Sequence, residues 1–496
     1  MNKNKQVIVI GAGFAGLSAA ALVAKAGYNV TVLEKNNQAG GRGGIWGKKG
    51  FRFDMGPSWY WMPEVFENYF ALFGKKPSDF YELKRLDPSY RIYFGKEETM
   101  DVPAGSTKLE ALFESLEPGS SKKIRSFLAD AAYKYQIGMG ELAFKPSHNV
   151  FEYFNMRIIR ESLKLQLFTS MHQHVRRYFT NPKLLKLLEF PTLFLGGIPK
   201  NTPAMYSMMN YADLVSGTWY PMGGMHEIVK AVVKIAEENG VKFLLNAEVT
   251  KIDVDDGLAK TVRTNQGDHS ADFVISGADY EYTDRYLVGS SNSNYDKKYW
   301  DERTLSPSAL IFYIGINKKL KSLRHHNLFF DEDFEQHAGE IYTNPQWPEN
   351  PSFYVCCPSK TDHTVAPKNC ENLFFLIPIA SGLEDTEVIR EKYFDLILSR
   401  FEAVTGENIR DHIVLKRSYA TNDFKADYNA FKGNAYGLAN TLKQTAFLKP
   451  KMRSKKIKNL LYTGQMTVPG PGVPPAIISG QIASSEAICY MEGLKT

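Results

Sequence analysis

The stretch Val7-Ile8-Val9-Ile10-Gly11-Ala12-Gly13-Phe14-Ala15-Gly16, with Val30-Thr31-Val32-Leu33-Glu34 a short distance on, decides the fold. Two continuously apolar, β-branched runs read as strands buried on both faces. Leu17 to Ala26 between them reads as an alanine-rich helix that stops at Gly27. The three glycines have separate tasks in a dinucleotide-binding βαβ unit. Gly11 permits the tight turn, Gly13 lets the backbone approach a pyrophosphate, and Gly16 lets the helix pack close to the strand. The free N–H groups at the helix start attract phosphate. Glu34 stands 18 residues after Gly16, where a carboxylate accepts ribose hydroxyls and repels a 2′-phosphate. These features leave NAD and FAD both open.

Working outward, Gln38-Ala39-Gly40-Gly41-Arg42-Gly43-Gly44 sets an arginine in a glycine bed, where a guanidinium pairs with pyrophosphate oxygens. Gly50-Phe51-Arg52-Phe53-Asp54-Met55-Gly56-Pro57-Ser58 follows, then the bulky run Trp59 to Pro63. That run reads either as a patch under the loop or as a wall beside a bound ring. Near the other end, Leu460 to Gly480 reads strand, Pro/Gly loop, then a helix starting near Pro474. This order of motifs resembles the amine oxidase and phytoene desaturase superfamily of FAD enzymes. With Tyr220 to Met225 added, it resembles the bacterial phytoene desaturase-type carotenoid desaturases over the whole chain.

The resemblance implies an α/β fold: a Rossmann-like FAD-binding domain, an α+β substrate domain and a mainly helical lid. The FAD-binding domain is expected from 1–75, 216–290 and 451–496. The substrate domain is expected from 76–215 and 291–450, with 76–215 the lid and a membrane-facing part. The implied cofactor contacts are Gly11, Gly13, Phe14, Ala15, Gly16, Glu34 with Lys35, Gly41, Arg42 and the Gly56-Pro57-Ser58 loop. Further contacts are implied at Val249, whose backbone faces the adenine side, and at Gly277, Gly464, Gln465, Gly472, Val473 and Pro474. No cysteine lies between Thr463 and Gly480, so the implied FAD is non-covalent. The tail departs from the family's Thr-His-Pro-Gly pattern: Thr467-Val468-Pro469-Gly470 lacks the histidine, and a mechanism needing imidazole there is in doubt.

Size and composition fit this picture. A chain of 496 residues exceeds one ordinary core. The net charge of +6 is too mild for nucleic acid, and no nucleic-acid partner is expected. Four cysteines argue against a disulfide scaffold and for a reducing cytoplasm. No secretory leader and no run of the ~18 apolar residues that span a bilayer is read. Membrane contact, on the inner face, is therefore expected to be peripheral. Basic residues among the aromatics of the lid (Arg157, Arg160, Lys164, Arg176, Arg177, Lys183, Lys186) suit either a membrane-lying helix or an ordinary amphipathic one.

The implied activity is removal of a hydride and a proton from an allylic CH–CH of a long polyene, phytoene-like or 1-hydroxylated with 3,4-desaturation, in carotenoid biosynthesis. With no second glycine fingerprint after a strand, electrons are expected to leave to oxygen or a quinone. No general base is named: Asp54, Glu141, Glu152 and Asp213 lie near motifs or apolar stretches, and a structural carboxylate is the plainer reading of each. No metal is expected, because His172-Gln173-His174 and His325-His326 lack partner ligands at metal-site spacing, and Cys356-Cys357 reads as buried thiols. Amine or protoporphyrinogen oxidation, and a non-catalytic flavin or carotenoid carrier, are the alternatives.

Overall fold

Alternation within Val7 to Ile10 shows how the first layer is built. The computed structural model describes residues 4–149, 152, 165–441 and 443–494. In it Gln6–Ile10 is the central strand of a parallel five-stranded sheet, in the order Leu460–Tyr462, Phe273–Ser276, Gln6–Ile10, Asn29–Leu33, Lys242–Leu244. Val7 and Val9 face the helices Phe14–Lys25, His226–Glu238 and Val473–Met491. Ile8 and Ile10 face an antiparallel meander of Val249–Asp255, Leu258–Thr264 and Gly267–Ser270. Both faces are thus buried, as a parallel sheet requires.

A second, seven-stranded sheet runs in the order Ile413–Tyr419, Ser308–Ile316, Glu371–Ile379, Phe353–Cys356, His326–Phe329, Tyr90–Gly95, Glu98–Val102. Only His326–Phe329 with Tyr90–Gly95 is a parallel pair. One face sends Leu310, Phe312, Phe329, Val355 and Phe375 against Phe394, Ile397, Leu398 and Phe401 of the helix Glu387–Thr405. The other turns Ala309, Ile311, Leu328, Tyr354 and Phe374 toward the first layer.

The stretch expected to be mostly helical gives Ser106–Leu116, Ser120–Ile137, Met171–Arg176 and Pro182–Glu189. The expectations on Phe151 to Phe154, Arg157, Arg160 and Leu163-Lys164 fall outside the described residues, apart from Glu152. The glycine bed is less loose than its composition suggests. Gly41–Gly43 is a single turn, and the chain continues as a hairpin of Ile45–Lys48 with Phe51–Asp54. Two short strands, His326–Phe329 and Phe353–Cys356, are not among those read from the sequence. Each is four residues long, and the first begins with two polar residues.

Candidate functional site

Between the two sheets lies a cavity of about 1020 Å3. One end is walled by the glycine motifs. Gly11, Gly13, Phe14, Ala15, Glu34, Lys35, Gly41, Arg42, Gly56, Pro57, Ser58, Val249, Gly277, Gly464, Gln465, Gly472, Val473 and Pro474 all line it. Gly16 does not. It sits behind the turn, where a Cβ would fall 2.1 Å from the Gly11 carbonyl oxygen, so its part is packing.

Local structure explains why these residues converge. No side chain caps the helix that starts after Gly13, which leaves its first N–H groups directed at the cavity. Gly40 bridges to Gly13, and a Cβ on Gly41, which has φ +53°, would lie 3.2 Å from Gly13 Cα. A Cβ on Gly56 would lie 2.5 Å from the Arg42 carbonyl oxygen. The tail loop is tied down by Gly464 N–H donating to Ser479 Oγ at 2.9 Å and by Thr467 Oγ1 donating to the Gly464 carbonyl at 2.9 Å. Its helix starts at Val473 with Gly472 supplying no capping side chain.

The charged groups at this end are held in place. Glu34 is 4% exposed. Its carboxylate accepts from Ala12 N–H at 2.7 Å and Asn36 N–H at 2.9 Å. Burial raises its pKa, and those two N–H bonds oppose the rise. Lys35 reaches the Ala426 carbonyl at 2.7 Å and Glu248 at 3.2 Å, so it braces the wall as well as lining it. Arg42 donates through Nη2 to the Asn434 carbonyl at 3.1 Å, yet its buried Nε has no partner. Burial pulls its pKa down while Asp279 pulls it up. A buried guanidinium with an unmet donor is what a site for a planar oxyanion such as pyrophosphate presents.

The other end is apolar. Ala309, Ile311, Leu328, Phe330 and Leu376 come from the sheet, and Met139, Leu142, Met205, Met208 and Met209 from the helical side. Trp59, Trp61 and Met62 also line it, so the bulky run is a cavity wall, while Tyr60 packs away against Phe66 at 4.3 Å. Val468, where the missing histidine would stand, is a buried part of the lining. Phe168 and Leu448 line the cavity and are 87% and 43% exposed, which places them at its mouth.

None of the four carboxylates considered as bases lines this cavity. Asp54 caps the helix His226–Glu238, accepting from Met225 and His226 N–H at 2.8 and 2.9 Å; burial pushes it up to about 6. Asp213 accepts from the Tyr90 hydroxyl at 2.7 Å, and burial pushes it up to about 7. Glu152 accepts from Ser147 and Asn149 N–H, and Glu141 lies on a partly exposed turn.

One expectation is corrected. His325-His326 does have a ligand-type neighbour, because antiparallel pairing sets His326 opposite Cys356, and donor atoms of His325, His326 and Cys356 lie within 4.8 Å of one another. His326 Nδ1 is already engaged by the Tyr354 hydroxyl at 2.6 Å, and burial pushes the Cys356 thiol up, away from the thiolate a metal takes. His325 is held apart by Thr361 Oγ1 at 2.8 Å, while His326 and Cys356 form a hydrogen-bonded pair at 3.7 Å. Tyr354 and Ser58 carry it to the cavity wall, a connection no sequence signal announced.

Comparison with known proteins agrees with this geometry. The family model for flavin containing amine oxidoreductase matches residues 14–488. A carotenoid 3,4-desaturase of Haloarcula japonica is 41% identical over 480 residues, covering 96% of this chain and 97% of that protein. A 4,4'-diapophytoene desaturase (4,4'-diaponeurosporene-forming) of Staphylococcus haemolyticus is 33% identical over 490 residues, covering 96% and 97%. An oxidoreductase structure from Methanosarcina mazei shares the fold at a TM-score of 0.64 and 17% identity, covering 96% of this chain and 99% of that one. The chain belongs to the flavin-containing amine oxidoreductase family, among its carotenoid desaturases.

Proposed function

We propose that this protein is an FAD-dependent carotenoid desaturase that introduces C=C bonds into a long polyene. The observation that carries the reading is the cavity itself. It runs without interruption from the dinucleotide motifs to an apolar sheet face. At about 1020 Å3 it sits at the upper end of what single-ligand pockets occupy, about 300–1000 Å3. A cofactor at one end and a hydrocarbon at the other account for that size.

The glycine turns, Glu34, Arg42, the Gly56 to Ser58 loop, Val249, Gly277 and the Gly464 to Pro474 tail are the residues we assign to non-covalent FAD. On this assignment 1–75, 216–290 and 451–496 hold the cofactor, and 76–215 and 291–450 hold the substrate. Bound there, FAD supplies the hydride acceptor. The chain's own part is to orient an allylic CH–CH between Trp59, Leu328 and Ile311, to exclude water, and to take up a proton. Burial of the polyene drives binding at roughly 25 cal/mol per Å2 of area removed from water. The carboxylates of the lining, Glu34, Glu248, Asp279 and Asp427, all belong to the motif end. Among the described residues the apolar end offers no carboxylate to an ammonium substrate, which weighs against amine oxidation. Electrons leave to oxygen or a membrane quinone, and the substrate enters from the bilayer at Phe168 and Leu448.

The test is anaerobic mixing of FAD-loaded protein with liposomes carrying phytoene or a 1-hydroxylated carotenoid. Bleaching of the oxidised-flavin band with a red shift of the polyene is expected. Bleaching by an amine or a porphyrinogen, and by no carotenoid, would overturn the reading.

A further inference from the structure

The desaturation just proposed releases a proton inside an apolar cavity, and something must accept it. The carboxylates of the lining stand at the motif end. His337, the histidine that lines the cavity, has both ring nitrogens engaged by backbone: Nε2 by the Pro378 carbonyl at 2.8 Å and Nδ1 by Ser352 N–H at 3.2 Å. The Tyr206 hydroxyl meets only Thr445, at 3.3 Å, with no titratable group in that pair beyond it.

Tyr354 differs. This residue lines the cavity, and its hydroxyl donates to Ser58 Oγ at 3.0 Å and lies 2.6 Å from His326 Nδ1. His326 is wholly buried, its Nε2 has no partner, and its ring stacks on Trp59 at 4.1 Å and 8°. Ser58 also bounds a second, water-sized chamber of about 20 Å3 that Asp54, Tyr220 and His325 help to close; about 10–15 Å3 is enough for one water. These are three residues remote in sequence, in one hydrogen-bonded line from the cavity to an open imidazole.

We propose that Ser58, Tyr354 and His326 form the relay that takes up the proton released on desaturation. The inference rests on the desaturase reading. With FAD bound, one substrate C–H bond would break with its electron pair leaving as hydride, the flavin supplying the two-electron acceptor as the carbon is oxidised. The neighbouring C–H bond then breaks heterolytically. Its electron pair becomes the second bond of the new C=C, and its proton passes to the Ser58 oxygen as the serine's own proton passes to the Tyr354 oxygen and the tyrosine's to His326 Nδ1. Hydroxyl protons rotate freely enough to set this direction. An allylic cation is so acidic that a weak base suffices. Burial holds His326 well below its ordinary pKa, which keeps the ring neutral and ready to accept. The stacked indole face favours the transient imidazolium. Ser58 and Tyr354 touch the substrate space and are the catalytic members; His326 acts through Tyr354.

Tyr354→Phe removes one oxygen and little volume. In the FAD-loaded variant, flavin fluorescence quenching and the polyene shift on binding should be unchanged. Because the uphill hydride transfer reverses until the proton is lost, net anaerobic flavin bleaching should slow by about 100-fold, with KM little altered and the solvent deuterium effect abolished. Ser58→Ala, on a loop outside the sheet, should slow bleaching in the same sense with FAD affinity unchanged, and decides the matter if Tyr354→Phe folds poorly; slower bleaching with weakened FAD binding would assign Ser58 to the cofactor and overturn its part in the relay. In flavin-free protein, 15N NMR should show a neutral His326 ring through the neutral range, with its Nδ1 signal displaced in Tyr354→Phe. Wild-type bleaching rates and an unchanged solvent effect in a folded variant, or a charged His326 ring, would overturn the relay. Failure of the wild type itself to be bleached by any carotenoid would overturn the underlying function first, so the two failures are distinguishable.

Discussion

Arg42 and Asp213 show how a single buried charge reports its purpose. Arg42 lines the cavity with Nε unpartnered, and burial lowers its pKa, so in flavin-free protein it is a charge that its surroundings only partly compensate. Arg42→Gln should therefore raise the melting temperature of flavin-free protein while weakening FAD binding by roughly 10- to 100-fold, the worth of one charge-assisted hydrogen bond. Fluorescence titration and thermal melts, each with and without FAD, check both halves; weakened stability with unchanged FAD affinity would remove Arg42 from the cofactor site. Asp213 is buried but off the cavity, between Tyr90 and Thr218. Its folded pKa of about 7 stands above the ordinary 3.8. Between those values the folded chain binds more protons than the unfolded one. Stability from this group is thus full below 3.8 and falls as pH rises through about 7. Asp213→Asn should gain about 1–3 kcal/mol on the wild type between acid and mildly alkaline pH, read from urea midpoints at both. A pH-independent gap would mean that Asp213 does not titrate as its burial requires.

At the scale of elements, the close crossing of the first and last helices sets the cavity's back wall. Gly480 of Val473–Met491 lies against Phe14–Lys25 so tightly that a Cβ would fall 2.4 Å from the Ala15 carbonyl and 2.6 Å from Ser18 Cβ. Ser18 Oγ also donates to the Ile477 carbonyl at 2.9 Å. Gly480→Val should cost about 1–3 kcal/mol by overpacking, seen as a lower melting temperature. An unchanged melting temperature would show that the two helices part freely. The strand–glycine–helix text announced both helices because each constraint there is local: a turn at Gly11, a start near Pro474. The antiparallel sheet was legible only in part. Ser308–Ile316 and Glu371–Ile379 are nine residues long and apolar, so they declare themselves. His326–Phe329 and Phe353–Cys356 are short and acquire strand geometry from their partners. For the same reason Glu34 and Arg42 were readable as site residues, whereas Tyr354 was not: its register opposite Leu328 and its bond to Ser58 exist only in three dimensions. Val249 and Gly277 stand between these cases, since only the family resemblance pointed to them.

For the whole molecule the remaining question is how a hydrocarbon reaches a cavity between two sheets. Among the described residues no helix is long and apolar enough to cross a membrane. The lining nevertheless includes Phe168, 87% exposed, and Leu448, 43% exposed, and Phe144 at 44% follows the lining residue Ala143. Large apolar side chains exposed at the entrance to an apolar cavity suit contact with a lipid surface, and the net charge of +6 favours an anionic one. Each large apolar side chain moved from water into lipid contributes about 1.5–3 kcal/mol. Phe168→Asp with Leu448→Asp should therefore lower partition onto anionic liposomes by at least about 100-fold. Neither residue is among those assigned to FAD, so FAD affinity should be unaltered. Bleaching by carotenoid delivered in detergent should persist, while bleaching by carotenoid in liposomes should fall in step with partition. Co-sedimentation and the two bleaching assays together make the check. Unchanged partition would remove Phe168 and Leu448 from any membrane contact. Lost partition with undiminished bleaching from liposomes would mean that the polyene enters by another route than the mouth at Phe168.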